Sequence, residues 1–339
     1  MPLKMKEIAK RLGVSPATVS LAIHNRPGIS EATRKRVFAA LEEHGRSDLI
    51  PSAEPKELRN IRLVLYRNGA EILTDTPFFL KLIEGIDEKA KETGFNMMIS
   101  YLNAADCSPE ALEILKEGDC CGLLLLATEM TAKEIAPFQQ LGLPLVALDG
   151  NFEDAGVSCV AIGNTASMET AVEHLIGLGH ARIGYLKSNR KIRNFTERYE
   201  GYRQTMARHG LPILKGFVLE TPPTAEGAYH AVKECLARDG LCCTAFAADN
   251  DNILFGAVRA LKEYHIPVPD RVSVTGFDDI PLAEISDPPL TSLQVPKQTM
   301  GRIALSLLAT LIDEAPEAPI KITVGTQLIV RKSTGIPAL

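Results

Sequence analysis

The chain has 339 residues, of which 45% are hydrophobic and 23% are charged, as in an ordinary soluble globular protein. The length predicts two or three domains, and apolar runs such as Leu123 to Ala127 are far shorter than the roughly 20 residues of a membrane-spanning helix. No apolar stretch follows the first lysines, so we expect no signal peptide and no membrane partner, and we place the protein in the cytoplasm.

Charge is distributed unevenly along the chain. Residues 1–46, which we call the head, contain nine Lys or Arg and four Asp or Glu, a net charge of +5. Because the whole chain carries −5, the remaining 293 residues carry −10. A small basic head on a large acidic remainder predicts that the head, and not the remainder, contacts a polyanion.

Seven cysteines are present, and no two are spaced as Cys-x-x-Cys. Two pairs, Cys120-Cys121 and Cys242-Cys243, are adjacent in sequence beside strand-like apolar runs. We interpret all seven as reduced, buried thiols of a cytosolic protein. The spacing of His and Cys indicates no metal site, and we predict neither a metal nor a cofactor.

Three helices are predicted in the head: Met5 to Leu12, one that begins at Pro16, and one from Ser30 to about His44. Gly13 ends the first helix because it is free to adopt a left-handed conformation. Ser15 is a good N-cap for the second helix, and proline suits its first position. Two short helices joined by a tight Gly-Val-Ser turn predict a helix-turn-helix.

The second helix of such a motif can enter the major groove of DNA with its first turn at the base edges. Short polar side chains suit phosphate oxygens, and arginines and helix N-termini add positive charge. The alternative, on this pattern alone, is a three-helix domain that never touches DNA. The predicted polar and charged DNA contacts are Ser15, Thr18, Ser20, Asn25, Arg26, Ser30 and Arg34.

Residues 47–60 have the prolines and charges of a linker. In residues 61–339, which we call the body, strand and helix patterns then alternate. Strands separated by helices of about 10–15 residues predict parallel sheets covered by helices on both faces. Two such halves predict a bilobed α/β body with its cleft at the carboxyl ends of the strands. The predicted strands are Ile61–Tyr66, Phe95–Tyr101, Gly122–Ala127, Leu145–Leu148, Arg182–Leu186, Phe217–Leu219, Ala245–Ala248 and Val272–Gly276. The predicted helices are Phe78–Thr93, Pro109–Gly118, Ala132–Leu141, Ala166–Leu178, Tyr199–His209, Ala225–Ala237 and Asn252–Tyr264.

The head closely resembles the DNA-binding head of the LacI/GalR family of transcriptional regulators, in the segment Gly13-Val14-Ser15-Pro16-Ala17-Thr18-Val19-Ser20-Leu21-Ala22-Ile23. The resemblance implies that Pro16, Ala17 and Leu21 occupy the base-facing positions of the recognition helix. Many family members carry Arg where Leu21 stands. Leucine offers only apolar contact, for example to a thymine methyl, so we expect a different operator.

The linker departs from the family pattern. Members usually continue with a hinge helix that wedges leucines into the minor groove at the operator centre. This chain has Arg46-Ser47-Asp48-Leu49-Ile50-Pro51 instead, and only Leu58-Arg59 resembles the hinge. Two prolines and three acidic residues oppose a helix lying on DNA, so we predict a degenerate hinge in residues 47–60.

The resemblance extends over the body, because further family landmarks follow in the family's order. It implies a periplasmic-binding-protein-like sensor that dimerises and closes on an effector. Lobe 1 is expected at about 61–161 and 293–323, and lobe 2 at about 162–292 and 324–339. The landmarks are Pro77-Phe78-Phe79 to Gly85-Ile86, His174-Leu175 to Ile183, Glu197-Arg198 to Gly201-Tyr202, Asn250-Asp251 to Gly256-Ala257, Gly276-Phe277-Asp278-Asp279, and Leu328 to Gly335.

Candidate effector contacts are polar residues that resemble the family's ligand contacts, together with two phenylalanines. Asp and Asn accept hydrogen bonds from sugar hydroxyls, and Arg donates to hydroxyls or carboxylates. Either phenylalanine is expected to stack on a ring. The candidates are Phe78, Phe79, Asp149, Arg198, Asn250 and Asp278.

Several of these residues have a plainer interpretation. Phe79 fits a hydrophobic core equally well. Arg198, next to Glu197, also fits a surface ion pair. We expect the neighbouring acids Asp251 and Asp279 to cap the helices that follow them.

We predict a homodimer whose paired heads bind a pseudo-palindromic operator in double-stranded DNA and repress transcription. A small sugar or sugar derivative in the cleft is expected to change operator affinity. An enzyme remains an alternative on this α/β architecture, although dinucleotide, Walker and nucleophile-elbow motifs are missing. A secreted sugar-binding protein, and a regulator whose head no longer reads an operator, are further alternatives.

Overall fold

The computed structural model describes residues 5–23, 28–46, 49, 59–69, 77–152, 155–214 and 216–338. The chain divides into two compact units, Met1–Glu57 and Leu58–Leu339. The head lies in the first unit and the body in the second. Most of the linker, and with it the predicted degenerate hinge, falls outside the described residues.

Three helices form the head, as predicted: α1 (Met5–Leu12), α2 (Pro16–Ile23) and α3 (Glu31–Glu43). Gly13 ends α1 with a left-handed φ of 66°. The Ser15 hydroxyl accepts from the Thr18 N–H at 3.0 Å and the Ser30 hydroxyl from the Thr33 N–H at 3.2 Å, so both serines cap the helices that follow them. A small apolar core joins the three helices: Ile8, Ala9, Val19, Ala22, Val37 and Leu41.

The body contains two six-stranded sheets, and we call each sheet with its covering helices a lobe. The strands of lobe 1 are β1 (Arg59–Arg67), β2 (Phe95–Asn103), β3 (Cys120–Leu126), β4 (Leu145–Leu148), β5 (Ser158–Ile162) and β11 (Lys321–Val324). Those of lobe 2 are β6 (Ile183–Ser188), β7 (Val218–Thr221), β8 (Ala245–Ala248), β9 (Ser273–Asp278), β10 (Thr291–Gln294) and β12 (Gln327–Ile329). The spatial orders are β11-β5-β4-β3-β1-β2 and β12-β10-β9-β8-β6-β7. Paired strands are parallel except β12, which is antiparallel to β10.

Helices cover both faces of the sheets, which confirms the predicted α/β class. Along β1, Ile61 and Leu63 pack into one hydrophobic cluster, while Val64 and Tyr66 pack into another on the opposite face. Lobe 1 carries α4 (Phe78–Thr93), α5 (Pro109–Glu113), α6 (Ala132–Gln139) and α12 (Lys297–Glu314). Lobe 2 carries α7 (Asn164–Gly177), α8 (Arg193–Arg208), α9 (Ala225–Asp239), α10 (Asp251–Glu263) and α11 (Pro281–Ile285). Among the helices of the described chain, none combines the length and the apolar character needed to cross a membrane.

The chain passes between the lobes after β5, after β10 and after β11. Each lobe is therefore assembled from stretches that are far apart in sequence. In each sheet, successive strands are added first on one side of the first strand and then on the other. At such a switch point the carboxyl ends of the strands leave a crevice, in which ligands of α/β folds bind.

α4 and α12 pack closely because glycines lie where they cross. A Cβ atom on Gly85 would stand 2.0 Å from the carbonyl oxygen of Gln298, and one on Gly301 would stand 2.2 Å from that of Leu82. No side chain fits at such distances, so the two helix backbones touch. This contact fixes the position of α4 in lobe 1.

We expect Gly85→Ala to lower the free energy of unfolding by about 1–3 kcal/mol, because the added methyl forces the two helices apart. Gly177→Ala is the matched control, since Gly177 is exposed at the end of α7 and a Cβ there meets nothing within 4 Å. Urea unfolding followed by circular dichroism measures both. Equal stabilities for the two variants would contradict the close helix contact.

Candidate functional site

Residues that follow the strands of both lobes meet in one cleft. In lobe 1, Thr128 lies two residues beyond β3 and Asp149 directly follows β4. In lobe 2, Asn250 lies two residues beyond β8 and Asp278 is the last residue of β9. All four line the same cleft, where the two sheets present their carboxyl ends.

The structure brings all the predicted effector contacts together in this cleft: Phe78, Phe79, Asp149, Arg198, Asn250 and Asp278. Four further lining residues were not predicted: Thr128, Ile192, Asn194 and Phe195. Thr128 follows a strand end as Asp149 does, so the strand-end rule would have found it. The other three lie just before or in the first turn of α8, where the sequence gives no comparable signal.

Arg198 lies in the floor of the cleft, and the residue is only 3% exposed. Its Nε donates to Asn164 Oδ1 at 2.9 Å and its Nη1 to the Asp249 carbonyl at 2.6 Å. Its Nη2 lies 3.5 Å from Asp278 Oδ1, and the guanidinium carbon lies 3.5 Å from the centre of the Phe277 ring. These contacts hold the guanidinium in one orientation.

The alternative that Arg198 forms a surface ion pair with Glu197 is wrong. Glu197 instead accepts from Arg193 Nε at 2.7 Å and from Asn164 Nδ2 at 3.0 Å. Neighbouring residues of a helix project in different directions. The Arg198 side chain therefore points into the cleft, while Glu197 pairs with Arg193, one helical turn earlier.

The capping prediction for Asp251 and Asp279 is also wrong. Asn250 caps α10, because its Oδ1 accepts from the Ile253 N–H at 2.9 Å. Asp251 is buried and accepts from the Ser292 hydroxyl at 2.6 Å and from the Ile280 N–H at 3.0 Å. The Asp279 carboxylate pairs with Arg331 and Gln294. Asn and Asp are both good caps, so sequence alone could not choose between adjacent candidates.

Asp149 carries the carboxylate that lobe 1 contributes to the cleft, and it also contacts lobe 2. The Thr128 hydroxyl donates to Asp149 Oδ2 at 2.6 Å, and Asn194 Nδ2, from α8, donates to Asp149 Oδ1 at 3.1 Å. Burial raises the pKa of Asp149 to about 6, although these hydrogen bonds and Arg198 act in the opposite direction. Asp149 is thus a buried acid at the junction of the two lobes.

Two further acids next to the cleft have raised pKa values for the same reason. Burial raises the pKa of Asp249 to about 7, although it accepts from the Tyr185 hydroxyl at 2.5 Å. Burial raises the pKa of Asp251 to about 8, and the nearby charge of Asp278 adds to the effect. The ends of the central strands of lobe 2 therefore hold carboxyl groups that are costly to ionise.

Phe78 and Phe79 close the cleft from the start of α4. Their ring centroids lie 5.0 Å apart at 72°, and they are 4% and 7% exposed. Both rings belong to the hydrophobic core of the body while they line the cleft. The core interpretation of Phe79 and its place in the cleft are therefore compatible.

The cleft is narrow, with a free volume of about 20 Å³. That space admits roughly one water molecule. A ring-sized ligand therefore requires the lobes to move apart or the lining side chains to turn. Among the described residues, no group of three or more His, Cys, Asp or Glu side chains is arranged to hold a metal ion.

The predicted DNA contacts of the head lie on or just before α2 and α3: Ser15 to Thr18 at the start of α2, Ser20 and Leu21 in its second half, and Ser30 and Arg34 at the start of α3. Ser15, Pro16, Ala17 and Ser30 are exposed, whereas Thr18, Ser20, Leu21 and Arg34 are half-buried. Arg34 Nη1 donates to the Ala22 carbonyl at 3.3 Å, so this side chain also ties α3 to α2. Asn25 and Arg26 lie outside the described residues.

Two protein-family models match parts of the chain. Residues 4–46 match "Bacterial regulatory proteins, lacI family", and residues 172–334 match "Periplasmic binding protein-like domain". The transcriptional regulator GalR of Escherichia coli is 30% identical over 337 residues, which cover 99% of this chain and 96% of that protein. The chain belongs to the lacI family of bacterial regulatory proteins.

Two further transcriptional regulators are similar to the chain over nearly its whole length. The regulator MalR of Streptomyces coelicolor is 29% identical over 344 residues, 98% of this chain and 97% of that protein. The solved complex of the regulator CelR with cellobiose is 27% identical, has a TM-score of 0.73 and covers 98% of this chain and 99% of its own. This lacI-family chain is a DNA-binding transcriptional regulator and not an enzyme.

Asp149 gives this lacI-family body a pH dependence of definite sign. Its folded pKa, about 6, exceeds the unfolded value of about 4, so the folded state loses stability as pH rises through that window. We expect Asp149→Asn to raise the free energy of unfolding by about 1–3 kcal/mol at pH 7 and by much less at about pH 4. Urea unfolding at the two pH values measures this.

The control for this prediction is Asp270→Asn, which changes an exposed carboxylate. Its effect on stability is expected to be small and equal at the two pH values. A gain from Asp149→Asn that is the same at both pH values would show that the raised pKa does not act on folding.

Proposed function

We propose that this regulator is a cytoplasmic homodimer that binds a pseudo-palindromic operator and represses transcription, and that a small sugar-like effector in the cleft changes its operator affinity. The observation that carries the proposal is the convergence of three aromatic rings, two carboxylates, two amides and a buried guanidinium in one cleft. Rings that cover an apolar sugar face and polar groups that meet its hydroxyls are the usual elements of a sugar site.

The head supports the DNA-binding part of the proposal. Pro16 and Ala17 are exposed in the first turn of α2, which is the turn that a recognition helix presents to base edges. One small head makes few contacts, so a second head on a symmetric half-site is needed for specificity. The charge of +5 in residues 1–46 supplies the non-specific attraction to phosphates.

The charges in the cleft favour an uncharged effector. Among the described lining residues, Asp149 and Asp278 outnumber the one cation, Arg198, whose guanidinium already serves three protein acceptors. An added phosphate or carboxylate would be repelled by surplus negative charge at short range. Hydroxyl groups can donate to these carboxylates instead. CelR, whose structure contains the uncharged sugar cellobiose, agrees with this preference.

A panel of sugars tests the charge preference. We expect one or more neutral mono- or disaccharides to raise the melting temperature in a concentration-dependent way, because a ligand that binds only the folded state stabilises it. The corresponding sugar phosphates and uronic acids should raise it less. A phosphorylated sugar that stabilises more than its neutral parent would contradict the assignment.

Arg198→Lys tests the site itself. Lysine keeps the charge but loses the planar fork that serves Asn164, Asp249 and Asp278, so we expect effector affinity to fall about tenfold or more. Operator affinity without effector should change less than twofold. Arg203→Lys, an exposed position on the same helix, is the matched control and should leave both affinities unchanged. Calorimetry with the best sugar of the panel measures the loss, and an unchanged effector affinity would remove Arg198 from the site.

Selection of the full chain against a random duplex library tests the DNA-binding part. We expect a pseudo-palindrome. The position that faces Leu21 should show no preference for guanine, because a leucine side chain cannot donate hydrogen bonds. The centre of the recovered site would show whether the linker contacts the minor groove. Weak, salt-sensitive binding without enrichment would instead support a head that no longer reads an operator.

A further inference from the structure

Two thiols meet at the end of β8 that lies away from the cleft. Cys242 and Cys243 precede this strand, whose far end leads to Asp249 and Asn250. The two sulfur atoms lie 3.6 Å apart. The pair is therefore separated from the effector cleft by the length of a strand and belongs to neither the DNA-binding nor the effector-binding machinery.

Adjacency in sequence does not by itself bring two thiols together. Cys120 and Cys121 are also adjacent, but they lie within β3, where neighbouring side chains point to opposite faces. Cys120 belongs to one hydrophobic cluster and Cys121 packs against the other. Cys242 and Cys243 escape this alternation because they lie before the strand begins, and their sulfurs converge on one side.

A glycine in β6 leaves room for the Cys243 sulfur. A Cβ atom on Gly184 would stand 2.8 Å from Cys243 Sγ and 2.5 Å from the Phe246 ring, so a side chain at this position would crowd both. Cys243 is 3% exposed, whereas Cys242 is half-buried. A ligand from solvent therefore reaches Cys242 first and Cys243 second.

We propose that Cys242 and Cys243 form a dithiol site for trivalent arsenic compounds. Sulfur ligands select soft, thiophilic centres, and one arsenic atom can bridge two sulfurs that already lie side by side. With an organic arsenoxide, two arsenic–sulfur bonds form and the arsenic–oxygen bond breaks. The two thiol protons leave with that oxygen as water, and arsenic remains trivalent, so no oxidant is needed.

The buried Cys243 thiol suits this chemistry better than disulfide exchange. Burial raises the pKa of the Cys243 thiol, and the neighbouring Cys242 adds to the effect. A thiol that stays protonated is a poor nucleophile for disulfide exchange, but it can give its proton to the oxygen of an arsenoxide. Cys235, on α9, interacts electrostatically with both thiols without a contact to either sulfur among the described hydrogen bonds.

Phenylarsine oxide added to the full-length protein, followed by intact-mass spectrometry and titration of free thiols, tests the site. We expect one phenylarsenic adduct per folded chain, with loss of two free thiols. Cys242→Ser and Cys243→Ala should each reduce the adduct at least tenfold at equal reagent, while Cys120→Ser/Cys121→Ser should leave it unchanged. Cys235→Ser should also retain it. Circular dichroism confirms that each variant is folded.

Unfolding provides the second arm of the test. In denaturant, Cys120 and Cys121 are released from opposite faces of β3, so the number of adducts per chain should rise above one. An adduct that persists in the Cys242→Ser/Cys243→Ala double variant would overturn the proposal. So would its loss in Cys235→Ser, its loss in the Cys120→Ser/Cys121→Ser variant, or an adduct that consumes only one thiol.

Discussion

The Arg198 guanidinium is the charge around which the cleft of the body is arranged. Removing an ion from water costs several kcal/mol, and that cost is offset only where the ion is paired and hydrogen-bonded. Here the compensation comes from the Asp278 carboxylate, the Asn164 amide, the Asp249 carbonyl and the face of Phe277. One side chain therefore connects α8 with the start of α7 and with the ends of β8 and β9.

This arrangement makes the cleft polar, tightly packed and costly to maintain. Burial raises the pKa values of three carboxyl groups, those of Asp149, Asp249 and Asp251. Ionisation of any of them therefore lowers the stability of the folded protein. The Asn194 side chain of lobe 2 donates a hydrogen bond to Asp149 of lobe 1, and little free volume remains in the cleft between the two lobes. An effector must replace such contacts with its own, and this exchange is what can link effector binding to the relative position of the lobes.

Local sequence patterns were sufficient where an element is regular and its surroundings are simple. The bounds of α4, β4 and β8 were predicted correctly, because each has a clear apolar period or run. β5, β10, β11 and β12 were missed. The last three mix polar and apolar residues over three or four positions, unlike the unbroken apolar runs of β4 and β8. α12 was not predicted as a helix, although the family resemblance assigned its residues to lobe 1.

The candidate site shows the same division between what sequence could and could not predict. Strand ends and the family resemblance led to the six cleft residues, since carboxyl ends of parallel strands meet at one edge. The inward turn of Arg198 and the choice of Asn250 as the cap depend on packing between lobes and helices. The convergence of Cys242 and Cys243, unlike that of Cys120 and Cys121, depends on where β8 begins.

The most direct test of the account is a crystal structure of the protein with the sugar that stabilises it most. The account predicts that the sugar lies between the Phe78 and Phe79 rings and the Arg198 and Asp278 side chains, with the lobes or these side chains displaced to admit it. A sugar bound elsewhere on the body, with this cleft unchanged, would contradict it.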